Sequence, residues 1–249
     1  MVENSTQKGY EYEKNASSYL KQYGITDGSY DGSKNQGPDI VLHSEKSSTG
    51  CEMKILPTAA GSLVLQYYGT EWHYGPTDGN EEKEFLETLG ESKNALKLIN
   101  STWKTAPLLQ YGGSNHSKKI YPPDVTPKLA YETDIKTFGS QGYGDIYIPI
   151  AGNDISRYYI SKGCSYLNVG THGFYILEDE FGLNKKMKTK IPNFASSITA
   201  RIRIRIQSKG SGSGSYQFAL TLLFSGVKKS PYNLAPVAGS SSVAIIESR

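Results

Sequence analysis

The chain has 249 residues, enough for one large domain or two small ones, and its 37% hydrophobic and 20% charged content excludes the disordered class. Its aromatic residues are 19 Tyr against 7 Phe and 2 Trp, a bias toward rings that join a stacking face to a hydrogen-bonding tip and so suit a polar ligand. A net charge of +3 hides a segregation: residues 1–180 hold 16 Lys and Arg against 23 Asp and Glu, whereas residues 181–249 hold 11 against 1, as expected either of a phosphate-binding surface or of a solvated face balanced by the acidic part.

The opening MVENSTQKG lacks the basic and apolar regions of a signal peptide, and no apolar run approaches the roughly 18 residues of a membrane span. An intracellular, cytoplasmic protein with no membrane partner is expected. From Gly9 to Gly24, Tyr12, Ala16, Tyr19 or Leu20, and Tyr23 recur at three-to-four spacing, which predicts an amphipathic helix ended by glycine. The turn-rich TDGSYDGSKNQG reads as a loop. Asp39–His43 and Cys51–Leu56 are short β-prone runs joined by SEKSSTG, which predicts two antiparallel strands, and Ser62–Tyr68 is a third strand candidate. Between Asn80 and Trp103 the positions Phe85, Leu86, Leu89, Leu96, Ile99 and Trp103 predict helix, with a break expected at Gly90.

Five prolines, Pro107, Pro122, Pro123, Pro127 and Pro149, punctuate residues 105–155, where only Gly144–Ile150 looks strand-like. Beyond Arg157 the pattern is β: Tyr158–Ser161, Gly173–Leu177, Ala200–Gln207 and Tyr216–Phe224 read as strands. The clearest alternation is ARIRIRIQ, with Ile202, Ile204 and Ile206 on one face and Arg201, Arg203 and Arg205 on the other. KGSGSGS after it reads as a hairpin loop. The fold class expected is α/β in the α+β sense: a single domain over 1–249, with an α/β core over 1–110 and a β-rich remainder over 111–249. Cys51 and Cys164 have no partners at metal-ligand spacing and are expected to be reduced.

Pro38-Asp39 and Glu52-Met53-Lys54 place one carboxylate at the start of a strand and a Glu-x-Lys on its neighbour. On a strand Glu52 and Lys54 project to one face and Met53 to the other, and pairing of adjacent strands can bring Asp39 beside them. Two close carboxylates repel unless a divalent cation joins them, and Mg²⁺ prefers oxygen ligands, waters and substrate phosphates. A lysine beside such a pair can position or deprotonate a water, or screen charge developing on a phosphate.

These residues resemble the PD-(D/E)xK nuclease superfamily, which contains most type II restriction endonucleases. Gly9 to Glu13, then Ala16 and Tyr19-Leu20, resembles its opening helix; Gly37 to Leu42 and Gly50 to Leu56 resemble its two motif strands. The resemblance covers residues 9–68. It implies a restriction-endonuclease-like mixed sheet flanked by helices, catalysis by Asp39, Glu52 and Lys54, Mg²⁺ held by Asp39, Glu52 and Glu13, and an accessory role for Gln66. A second spacing of the same kind, Pro123-Asp124 with Asp134-Ile135-Lys136, sits among prolines that deny a central strand its donors.

The function expected is a Mg²⁺-dependent, sequence-specific endonuclease acting on double-stranded DNA. Lys185, Lys186, Lys188, Lys190 and Lys209 with Arg201, Arg203 and Arg205 are the candidate DNA contacts. An enzyme cutting both strands presents two sites or acts twice, which makes a homodimer an expectation. A homing endonuclease or junction resolvase on the same core is one alternative, and a noncatalytic DNA- or glycan-binding β protein is another. His43, His73, His116 and His172 share no zinc spacing, and no phosphate-loop or dinucleotide-binding glycine motif is present.

Overall fold

In the computed structural model of the chain, which describes residues 5–22, 26, 37–43, 48–54, 61–75, 86–87, 92–179, 182, 184, 189–208, 215–226 and 228–232, the first element is helix α1, Ser5–Gln22. Tyr12, Ala16 and Leu20 recur every four residues along it and all are buried, so the apolar stripe expected from the sequence is the packed face. The chain divides into two compact units interleaved in sequence: residues 1–60, 150–200 and 224–249 form the first, and 61–149 with 201–223 form the second. The halves 1–110 and 111–249 each contribute to both.

Four strands carry the first unit. Strand β1, Ile40–His43, runs antiparallel to β2, Ser48–Lys54, with Ile40 opposite Cys51. Strand β2 then pairs in parallel with β8, Cys164–Val169, placing Met53 opposite Asn168, and β8 pairs antiparallel with β9, Gly173–Ile176. The sheet order is thus β1-β2-β8-β9. Parallel neighbours cannot be joined by a tight hairpin. The helix α4, Gly152–Ser161, leads into β8 and ends at Lys162-Gly163, where Gly163 takes the left-handed φ of +81° that closes many helices. Gly50 donates its N–H to the Gly163 carbonyl at 2.8 Å, and a Cβ on Gly50 would lie 2.4 Å from the Pro38 Cβ. Only glycine fits that corner, which sets β2 against Pro38-Asp39.

Cys51 and Met53 point into a core with Tyr12, Ala16, Leu20, Ile40, Leu42, Tyr166, Phe174 and Ile176, so the strand face opposite Glu52 and Lys54 is sealed by apolar packing.

The second unit is built on a five-stranded sheet. Its strands are β3 (Gly61–Tyr68), β4 (Glu71–Tyr74), β7 (Ile146–Ile150), β10 (Ile198–Ser208) and β11 (Tyr216–Gly226), in the order β4-β3-β11-β10-β7. The helices α2, Ser92–Thr102, and α3, Pro127–Phe138, belong to this unit, together with the small hairpin of β5, Gln110–Gly112, and β6, Lys118–Ile120. Trp72, Trp103, Phe138 and Phe218 make its centre, every pair of rings lying with centroids 4.7–5.8 Å apart in edge-to-face geometry. The protein is a strand-rich mixed α+β structure. Among the described residues no helix is long and apolar enough to cross a membrane.

The structure corrects one element. Tyr158–Ser161 is not a strand but the end of α4, where Ile155, Tyr158 and Tyr159 are buried at helical three-to-four spacing and tertiary packing overrides the β propensity of Tyr and Ile. Helix α3 lies in the segment expected to be irregular, because Pro127 occupies its first turn, where a missing N–H costs nothing, and Thr126 caps it by accepting from Leu129 N at 3.2 Å. The loop over 27–36, the break at Gly90 and the loop over 209–214 lie outside the described residues.

Candidate active site

Asp39 immediately precedes β1, and its Oδ2 accepts a hydrogen bond from the Met53 backbone N–H at 2.7 Å. This bond carries the carboxylate across to β2, between Glu52 and Lys54. The strand period then puts the Glu52 and Lys54 side chains on one face, where the Lys54 Nζ donates to Glu52 Oε1. Glu52 is 1% exposed and Lys54 16%, so this pair is withdrawn from water rather than a surface ion pair. The three residues expected to act together are therefore neighbours, brought there by one hairpin.

A second cation, not foreseen from the sequence, completes the group. Lys162, the residue after α4, brings its Nζ to 3.7 Å from Glu52 Oε2 and is 13% exposed. Its ammonium also lies 5.7 Å from the Tyr158 ring centroid and 5.8 Å from that of Tyr159, and Lys54 lies 5.5 Å from Tyr159. Reading Tyr158–Ser161 as strand hid this residue.

Burial raises the Asp39 carboxyl well above the usual carboxylate range, the nearby Glu52 charge raises it further, and Lys54 opposes both. Glu13, on α1 beside the core residue Tyr12, is raised by burial, with Lys54 lowering and Glu52 raising it. The Tyr12 hydroxyl donates to Asn168 Oδ1 on β8, which ties α1 to the strand beside β2. Glu13 Oε2 and Glu52 Oε2 are both buried and accept no hydrogen bond. A buried carboxylate oxygen without a donor is costly, and a cation would satisfy it.

Among the described residues no three His, Cys, Asp or Glu side chains form a ready-made metal cage. Mg²⁺ does not need one, since it keeps several waters and takes one or two protein carboxylates plus substrate phosphate. Asp39 and Glu52, whose charges act on one another across the hairpin, could supply those one or two carboxylates, whereas Glu13 does not complete a three-carboxylate group with them.

The remaining expected residues fall elsewhere. Gln66 is buried on β3 in the second unit, whose strand neighbours are β4 and β11, so it is not on the sheet that carries Asp39 and Glu52. Arg201, Arg203 and Arg205 alternate along β10 with the buried Ile202, Ile204 and Ile206. Arg201 is exposed with its guanidinium 4.5 Å from the Tyr147 ring centroid, and the half-buried Arg203 and Arg205 have Nε atoms without hydrogen-bond partners. Burial and the neighbouring Arg203 lower the Arg205 guanidinium, with Asp145 opposing. Lys190 is exposed; Lys185, Lys186, Lys188 and Lys209 lie outside the described residues.

The second Pro-Asp spacing has a different fate. Asp124 sits in a turn at φ 65°, and Asp134 lies inside α3, where its carboxylate accepts from the backbone N–H groups of Leu108 and Leu109 and from the Tyr216 hydroxyl. That carboxylate is a structural acceptor.

No protein-family model, no curated protein and no solved structure matches this chain. The resemblance to the PD-(D/E)xK nucleases rests on the sequence motifs alone.

Proposed function

We propose that the chain is a Mg²⁺-dependent DNA endonuclease of the restriction type, with a core of PD-(D/E)xK design in its first unit. One observation carries the reading: a buried Glu-x-Lys on β2 and the Asp that bonds across to that strand, with a carboxylate oxygen left unbonded. Asp39 and Glu52 would hold the cation, with Glu13 supporting, and the bound ion supplies a water of lowered pKa and charge neutralisation at the scissile phosphate. Lys54 is the candidate to hold or deprotonate the attacking water, because it stands beside Glu52 with its ammonium steadied over Tyr159. The apolar packing of Cys51 and Met53 behind the site keeps solvent from one side and makes each charge there count for more.

Incubation of the purified chain with mixed-sequence plasmid and Mg²⁺ should yield discrete fragments that vanish with EDTA. Intact DNA across varied sequences would refute the reading. Homing endonucleases and junction resolvases on the same core share this chemistry; cleavage of branched DNA or of long, rare sites in place of plasmid fragments identifies them. A dimer, expected from the need to cut two strands, is tested by sedimentation with and without DNA.

The arginine row on β10 is the proposed phosphate-binding element. A strand repeats every two residues at about 6.6–6.8 Å, so Arg201, Arg203 and Arg205 present a regular line of cations. Replacing both Arg203 and Arg205 by Ala should lower the slope of log binding constant against log salt by about 0.9 for each phosphate that the variant no longer neutralises. An unchanged slope with the double variant would remove this strand from the DNA interface.

A further inference from the structure

Glu52 is a carboxylate held between two ammonium groups, Lys54 at Oε1 and Lys162 at Oε2, and all three are nearly withdrawn from solvent. The two contacts differ. Lys54 makes a hydrogen bond, whereas the Lys162 ammonium stands at 3.7 Å and Glu52 Oε2 accepts no hydrogen bond. Lys162 therefore supplies charge to that oxygen without occupying its lone pairs. It also has a second set of attractive surfaces within reach, the Tyr158 and Tyr159 rings on its own helix.

We propose that Lys162 is a resident counter-cation of Glu52 that a divalent ion displaces, with Tyr158 and Tyr159 receiving its ammonium as it withdraws. This rests on the nuclease reading and deepens it, because it makes metal binding an exchange of one cation for another at the same oxygen. The exchange keeps the buried carboxylate compensated whether or not metal is bound, and it sets the metal affinity lower than Asp39 and Glu52 alone would give. Two cations facing one carboxylate repel, so removing the lysine charge strengthens the hold on the metal. Lys162 is thus a positioning residue that regulates loading of the site.

The test is Mn²⁺ binding to the full-length protein, followed by electron paramagnetic resonance of the unbound ion, so that no cleavage is needed. Lys162→Met and Lys162→Gln should bind Mn²⁺ about tenfold tighter than the wild type, while Lys162→Arg, which keeps the charge, stays within about threefold. Glu52→Gln should lose the site. If Glu52→Gln abolishes binding but both neutral variants bind no tighter than wild type, the exchange is overturned and the metal site stands. If neither wild type nor Lys162→Met binds Mn²⁺, or if Glu52→Gln binds as well as wild type, the nuclease reading fails and the exchange with it. Thermal melts of each variant check the fold, and Lys162→Gln, which keeps a polar head, serves if the Met variant does not fold.

Discussion

Glu52→Gln is expected to lower the rate of DNA cleavage about a thousandfold or more while leaving DNA affinity in the absence of metal within a fewfold of wild type. The substitution keeps the side-chain volume on β2 and removes a buried charge that faces both Lys54 and Lys162. Lys54→Ala should cost about a hundred- to thousandfold by removing the group proposed to handle the water, with metal binding retained. Single-turnover cleavage on plasmid reads both. A Glu52→Gln protein that is folded by circular dichroism and cuts at wild-type rate ends the assignment of this residue. The pH dependence has a definite sign. A raised Asp39 carboxyl holds its proton through pH values at which an ordinary aspartate is ionised, and a metal ligand must be deprotonated. Metal loading and cleavage should therefore rise as pH increases from the ordinary carboxylate range up to about 8. A rate independent of pH across that interval would contradict the burial that the raised carboxyl reflects.

The parts of the site that are local in sequence were legible there. Helix α1 declared its face through Tyr12, Ala16 and Leu20, and the hairpin of β1 and β2 followed from two short β-prone runs joined by a polar segment, because both are short-range patterns in the sequence. Strand β8 was not legible. It is buried at all its positions, as a strand with parallel and antiparallel neighbours and both faces covered tends to be, so CSYLNV shows no period of two. Lys162 escaped for a related reason: it reaches Glu52 over 110 residues of chain, because α4 and β8 return to the sheet of β1 and β2 only after residues 61–149, which belong to the second unit. Prolines misled in the opposite direction. Thr126-Pro127 is a helix start, and counting Pro127 only as an interruption concealed α3 and the burial of Asp134 within it.

Asp134→Ala should destabilise the second unit by about 3–5 kcal/mol, although the residue has no part in the proposed chemistry. Its carboxylate is 2% exposed and accepts from Leu108 N at 2.9 Å, Leu109 N at 3.1 Å and the Tyr216 hydroxyl at 2.6 Å. Truncation removes the carboxylate acceptor of the half-buried Leu108 N–H, the buried Leu109 N–H and the Tyr216 hydroxyl, a loss of about 1–3 kcal/mol for each in isolation, and local relaxation together with the second contact of the Leu109 N–H with the Tyr216 hydroxyl recovers part of it. In the wild type, burial and its bond to Asp134 hold the Tyr216 hydroxyl above its ordinary pKa, so it is a protonated donor to that carboxylate. Asp134→Asn keeps one acceptor oxygen and should cost about half as much, because at least one N–H loses its partner. Both tryptophans of the chain, Trp72 and Trp103, are buried in this unit, so their fluorescence reports its unfolding directly. At about 2–4 °C per kcal/mol for a protein of this size, the Ala variant should melt roughly 10 °C below wild type. A shift under about 2 °C would mean that the three donors find other acceptors in the variant, and the loop at Leu108 and Leu109 would then owe its position to the packing of Leu109 and Trp103 rather than to the carboxylate.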